Sequence, residues 1–219
     1  MAPARKRVAV LISGRGSNMT ALIEAAKSVD YPAEIVGVLS NKADAKGIET
    51  AAANGIATAV RSHRDYSSRQ AFDAALDEVL RGWKTDYVAL AGFMRLLTPE
   101  FTQAWLGRMI NIHPALLPSF KGLHTHEQAL QAGVHLHGCT VHFVTPGMDE
   151  GPAIAQAAVP VLHDDTPETL SARVLQAEHA LYPRALAAVV EGRVSLKDGK
   201  VVLSGASAAA VPAFIWPAY

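Results

Sequence analysis

The stretch Val8-Ala9-Val10-Leu11-Ile12-Ser13-Gly14-Arg15-Gly16-Ser17-Asn18 decides the class of fold. Val8 to Ile12 is an unbroken apolar run of strand length, the pattern of a strand covered on both faces. Gly14 and Gly16 break the run, and the segment from Met19 to Lys27 has helical apolar spacing. A buried strand that ends in a glycine-rich turn and feeds a helix builds an anion site. The unpaired N–H groups of the first helical turn converge on one point, and the helix dipole favours negative charge there. The match to Gly-x-Gly-x-x-Gly fails at Met19, and no Gly-Lys-Ser/Thr follows. The turn is therefore neither a dinucleotide fingerprint nor a Walker-type loop. Ser17 and Asn18 offer polar side chains instead. Taken alone, the segment fits a phosphate site and an ordinary turn capped by Ser or Asn about equally well.

The same alternation continues outward. Short apolar runs rich in β-branched residues recur at 34–40, 57–60, 87–91 and 109–113. Amphipathic segments at 18–27, 45–53, 68–81 and 99–106 separate them. This order predicts an α/β fold of Rossmann-like type: an open, mostly parallel twisted sheet with helices on both faces. The second half changes character. Strands are predicted at 137–145 and 154–161, joined by a Gly/Pro-rich loop, as a long-looped antiparallel hairpin or strands of mixed direction. A long amphipathic helix is predicted from Asp165 to about Val190, with apolar positions Leu170, Val174, Ala177 and Leu181. A small hairpin follows around Asp198-Gly199, and residues 205–219 read as an irregular Ala/Pro-rich tail.

Composition bounds the rest. The chain has 219 residues, half of them hydrophobic, which suits a single domain over 1–219 with a substantial core. Lys plus Arg and Asp plus Glu are both 20, so nothing in the balance suggests nucleic acid or an acidic membrane as partner. The single cysteine, Cys139, rules out an intrachain disulfide and a Cys-based zinc site, and reads as a buried thiol. No run approaches the ~20 apolar residues of a membrane span, and the expected location is the cytoplasm. His124-x-His126 and His135-x-His137 have same-face spacing on a strand, but without a clustered carboxylate no metal is expected.

Asn111-Ile112-His113-Pro114 ends the fifth predicted strand. Side chains alternate along a strand, so Asn111 and His113 share a side. Pro114 holds His113 extended and removes an N–H from further pairing. A carboxamide that can donate to a developing oxyanion thus sits beside an imidazole that can carry a proton. Such a pair suits acyl transfer without a covalent intermediate. A local cap and a packed core histidine would read the same way. In open α/β sheets ligands sit at the carboxyl ends of the parallel strands, and both this motif and the Gly14–Asn18 turn occupy such ends.

Asn111-Ile112-His113-Pro114-Ala115-Leu116-Leu117-Pro118 resembles the signature of the folate-dependent formyltransferases. Gly14–Asn18, Ala91-Gly92-Phe93-Met94-Arg95-Leu96-Leu97, Gly122-Leu123-His124-Thr125-His126 and Gly138-Cys139-Thr140-Val141-His142-Phe143-Val144 fall in the family's order and spacing. The resemblance implies transfer of the formyl group of 10-formyltetrahydrofolate to the amine of glycinamide ribonucleotide, a step of de novo purine (IMP) biosynthesis. It implies Asn111, His113 and Asp149 as the catalytic set. Asn111 would bind the formyl oxygen, His113 would shuttle the proton, and Asp149 would pair with His113 and favour its imidazolium. Gly16, Ser17 and Asn18 would hold the ribonucleotide phosphate, and Glu178 its ribose or amine side. Arg69, Met94, Arg95, Leu96, Leu97, Asn111 and His142 would line the folate pocket. The N-terminal half would thus bind the ribonucleotide and the C-terminal half the folate, with no metal and with a monomer or homodimer as the working form. Two other readings use the same residues. One is a deformylase that sends water to the formyl carbon; such proteins carry an extra N-terminal regulatory domain, for which a first strand at about Arg7 leaves no room. The other is a non-catalytic folate- or nucleotide-binding module.

Overall fold

The computed structural model describes residues 4–205. The expected tail over 205–219 lies outside them apart from Gly205. The first half alternates strand and helix: β1 (Lys6–Ile12), α1 (Ser17–Ala26), β2 (Ala33–Ser40), α2 (Lys46–Ala53) and β3 (Ala57–Val60), then α3 (Arg69–Gly82), β4 (Tyr87–Leu90), α4 (Pro99–Ala104) and β5 (Met109–His113). The second half holds α5 (Thr125–Ala132), the strands β6 (Leu136–Phe143) and β7 (Ala153–Pro160), and α6 (Pro167–Val190). A separate hairpin, β8 (Val194–Lys197) and β9 (Lys200–Leu203), closes the described chain.

Seven strands form one sheet in the order β3-β2-β1-β4-β5-β6-β7. β1 to β5 are mutually parallel, and β6 and β7 run antiparallel to their neighbours. The order reverses between β1 and β4, which is where an open α/β sheet leaves a crevice above its carboxyl ends. The alternation along β1 sorts the core. Val8, Val10 and Ile12 pack with Met19 and Leu22 of α1 and with α6, while Ala9 and Leu11 pack with Phe72, Leu76 and Leu80 of α3 and Phe101 of α4. Helices therefore cover both faces, as predicted.

α6 runs along the first face for 24 residues. Thr166 caps it, accepting from the Thr169 N–H while the Thr169 hydroxyl accepts from the Thr166 N–H, and Pro167 fits its first turn. Its buried stripe differs from the predicted one. Leu170 and Val174 are buried, but the stripe continues through Glu178 and Tyr182, and Ala177 and Leu181 are only partly covered. Tyr182 decides the phase. It is fully buried, and its hydroxyl donates to Leu90 O at 2.9 Å, tying the helix to the strands beneath the site. Among the described residues no helix is long and apolar enough to cross a membrane.

The strand geometry expected for His124-x-His126 is not what the fold adopts. His124 has a left-handed backbone and precedes α5, and His126 lies inside that helix. The segment is an eight-residue helix bounded by Gly122 and Gly133, with Ala129 as its fully buried anchor. So short a helix shows little apolar periodicity.

Candidate active site

β5 delivers Asn111 and His113 to the carboxyl edge of the sheet. Ile110 and Ile112 point into the α1/α6 core, so Asn111 and His113 project to the other side. Asn111 stands opposite His142 in the β5–β6 ladder, and its Nδ2 donates to His142 Nε2 at 3.2 Å. The other ring nitrogen, Nδ1, donates to Phe143 O at 2.9 Å. His142 is buried, and burial pushes its pKa down. The ring is thus neutral, with its proton on Nδ1 and its Nε2 lone pair turned to Asn111. This fixes the direction of the Asn111 amide and leaves one of its N–H bonds for a ligand.

Asp149 comes from the loop between β6 and β7 and has a left-handed backbone, φ 52°. Its Oδ2 accepts from Gly122 N–H at 3.0 Å and lies 3.4 Å from His113 Nδ1. Its Oδ1 lies 3.8 Å from His142 Nε2. His113 Nε2 donates to Phe120 O at 2.9 Å. Both nitrogens of His113 therefore face oxygen acceptors. Gly151 lets the loop fold back this far. A Cβ there would meet Phe143 O at 1.6 Å and His142 Nδ1 at 3.2 Å.

The Gly14–Asn18 turn lies at the end of β1. Gly16 is the helix cap, in the left-handed region at φ 72°, and no side chain caps the first turn of α1. Ser17 and Asn18 are thus the first two residues of α1, not its cap, and the leading N–H groups are open to a ligand. Asn18 instead turns to α6, where its Nδ2 donates to Glu178 Oε2 at 2.7 Å. Glu178 is 5% exposed, so it is not the solvated helix carboxylate its spacing suggests, and burial pushes its pKa up. An open cleft of ≈ 230 Å³ lies along Gly14 to Asn18 and is also lined by Ala91, Gly92 and Met94.

The remaining expected residues divide. Met94 and Leu96 are 63% and 52% exposed, an unusual state for large apolar side chains. Arg95 is exposed between them, and Arg69 is exposed at the start of α3. Leu97, by contrast, is buried in the α3/α4 core. Three contributors lacked a sequence signal. The Ser13 hydroxyl donates to Asn41 Oδ1 at 2.6 Å and accepts from Met94 N–H at 2.7 Å, so it pins the apolar loop to the Gly14–Asn18 turn. Phe120 and Gly122 hold His113 and Asp149 with backbone groups, which no residue type announces.

Cys139 is buried, and burial pushes its thiol up to about 12. His126 and His137 stack edge to face at 5.3 Å. Among the described residues no group of three or more His, Cys, Asp or Glu is placed to hold a metal ion.

The family model described as formyl transferase matches residues 6–186. The chain is 45% identical to the phosphoribosylglycinamide formyltransferase of Escherichia coli (strain K12), over 90% of this chain and 93% of that one. It is 53% identical to the bovine (Bos taurus) trifunctional purine biosynthetic protein adenosine-3, over 91% of this chain but only 20% of that protein. The chain thus spans about a fifth of the length of that larger relative. The crystal structure of glycinamide ribonucleotide transformylase 1 from Symbiobacterium toebii superposes with a TM-score of 0.88 at 46% identity, covering 91% of this chain and 94% of that one. From β1 through most of α6, the chain belongs to the formyl transferase family.

Proposed function

We propose that the protein transfers the formyl group of 10-formyltetrahydrofolate to the amine of glycinamide ribonucleotide, in de novo purine synthesis. The observation that carries this reading is the placing of Asn111 and His113 on one side of β5, with Asp149 3.4 Å from His113 Nδ1 and Asn111 oriented by His142, at the same sheet edge as a helix N-terminus that no side chain caps. The amine nitrogen attacks the formyl carbon, and a C–N bond forms as the carbonyl electrons move to oxygen. The free N–H of Asn111 donates to that oxyanion, and the Nε2–H of His113 would turn from Phe120 O, or share its bond there, to reach it. Asp149 orients the His113 ring and balances its charge. Collapse breaks the bond to folate N10, and the proton lost by the amine passes to N10. No covalent enzyme intermediate forms, and no metal enters the scheme.

The first turn of α1 would hold the ribonucleotide phosphate, remote from the reacting amine, so that its binding energy serves positioning. Glu178 and the unpartnered Oδ1 of Asn18 offer acceptors to the ribose hydroxyls or the amine. Met94 and Leu96 would cover the pteridine, and Arg69 and Arg95 would line the same pocket. His142 acts through Asn111 as a positioning residue. One copy of the chain carries every group used, so residues 1–219 would act as a single cytoplasmic unit, as monomer or homodimer.

The test is formyl transfer followed with and without glycinamide ribonucleotide. Formylated ribonucleotide and tetrahydrofolate should appear one for one, and only when both substrates are present. Formyl release at the same rate without the ribonucleotide would make the protein a deformylase. Tight binding of both ligands with no turnover would make it a binding module.

A further inference from the structure

A second and larger cleft adjoins the phosphate turn and has no part in the scheme above. It measures ≈ 590 Å³ and is lined by Ser13, Gly14, Arg15, Lys42, Asp44 and Lys46, together with Ala45. Ser13, Gly14 and Arg15 also line the smaller cleft, so the two are continuous across the turn. Three cations face one carboxylate here. Among the described residues no ion pair engages Arg15, Lys42, Lys46 or Asp44. The chain as a whole has no net charge, so this excess is local.

The backbone brings these cations to the turn by design of packing. Gly47 N–H donates to Gly14 O at 3.1 Å. A Cβ on Gly47 would meet Ile12 Cδ1 at 2.4 Å, Gly14 O at 3.2 Å and Arg15 O at 3.3 Å. With glycine there, α2 starts flush against the turn and carries Lys46 with it. Lys42 is held at the end of β2, where its N–H donates to Ser40 Oγ at 3.0 Å and its carbonyl accepts from the same hydroxyl at 2.9 Å. A separate feature marks the adjoining cleft as a ligand site. Asn18 is nine-tenths buried, its amide nitrogen is committed to Glu178, and its Oδ1 has no partner. Such an acceptor is costly unless something donates to it, as a sugar hydroxyl of the same ribonucleotide would.

We propose that Arg15, Lys42 and Lys46 form an outer cationic subsite that grips the phosphate dianion of the ribonucleotide from the solvent side, while the α1 N–H groups grip it from within. This rests on the substrate assigned under Proposed function. Backbone N–H groups alone accept many anions. Side-chain cations add preference for the doubly charged phosphate and draw it in over several ångströms. Arg15 can offer two donors in a fork, and the lysines act as point charges.

The experiment compares the parent with an Arg15→Gln/Lys46→Gln double variant. KM for the ribonucleotide should rise about tenfold at low ionic strength, with kcat at saturation and KM for the folate close to the parent's. The gap should narrow at high salt, where exposed charges are screened. The dephosphorylated riboside, if it reacts, should not distinguish the two proteins. A ribonucleotide KM within twofold of the parent's at low salt would overturn the subsite, as would an equal loss with the riboside. Direct titration of both proteins with ribose 5-phosphate separates this question from the reaction itself. Weaker binding by the variant supports the subsite even if no formyl transfer is found, and equal binding refutes it even if transfer is normal.

Discussion

Asn111 commits one N–H to His142 and keeps the other, and that division defines what its loss should do. An Asn111→Ala variant should fold normally and lose about 10²–10³ in kcat, measured by formyl transfer at saturating substrates. Near-parental turnover would remove Asn111 from the mechanism. Glu178 makes the opposite prediction for stability. Burial disfavours its charge, and the Asn18 amide only partly offsets this. A Glu178→Gln variant keeps an oxygen for Asn18. It should be at least as stable as the parent in denaturant at pH 7, yet show a ribonucleotide KM higher by about tenfold. Lower stability with an unaltered KM would make Glu178 structural. Asn111 and His113 were legible because a strand end followed by proline displays alternate side chains to one place. Resemblance named Glu178, but its burial was not legible, because helical spacing assigns a carboxylate outward by default and its partner Asn18 lies 160 residues away in sequence.

At the level of elements, the loop between β6 and β7 is the most sensitive joint. Gly151 allows it to close over His142 and so to present Asp149 to His113. A Gly151→Ala variant should keep the sheet, seen as a parental far-ultraviolet circular dichroism spectrum, while kcat falls at least about tenfold through displacement of Asp149. A parental kcat would show that the loop tolerates the shift. The sequence showed a Gly/Pro-rich connection here and, by resemblance, the aspartate. It could not show the fold-back, since that depends on a missing Cβ against a carbonyl of another strand. Helix α5 was missed for a related reason. Its eight residues bury little, and it stands where it does because the turns at Gly122 and Gly133 bracket it. The long elements, β1, α3 and α6, were legible because many residues repeat one pattern.

Across the whole molecule, the alternation of strand and helix predicted the parallel sheet, and the strand order emerged only from packing. Acid stability is a property of this larger scale. His137 is fully buried, and burial, followed by the field of His126, lowers its pKa from 6.5 to about 4. Unfolding restores the ordinary value. Above pH 6.5 neither state is protonated there and stability is intact. Between 6.5 and 4 the unfolded chain takes up a proton that the folded chain refuses, so stability falls as pH falls, by about 3 kcal/mol through this residue. Denaturant titrations at pH 7.5 and 4.5 should show this loss, and His137→Phe should reduce it; an equal acid slope in both proteins would exclude His137 as the cause. A last consequence comes from the pairing of Asn111 with His142 across β5 and β6. The two are partners only because the ladder places them opposite, so slippage of β6 by one residue would set Val141 or Phe143 against the carboxamide. A chain misassembled in this way would remain compact and keep its helices, while its Asn111 lost its orienting ring. Specific activity per folded molecule is therefore a proofreading signal for strand assembly, sensitive to errors that bulk measures of secondary structure pass over.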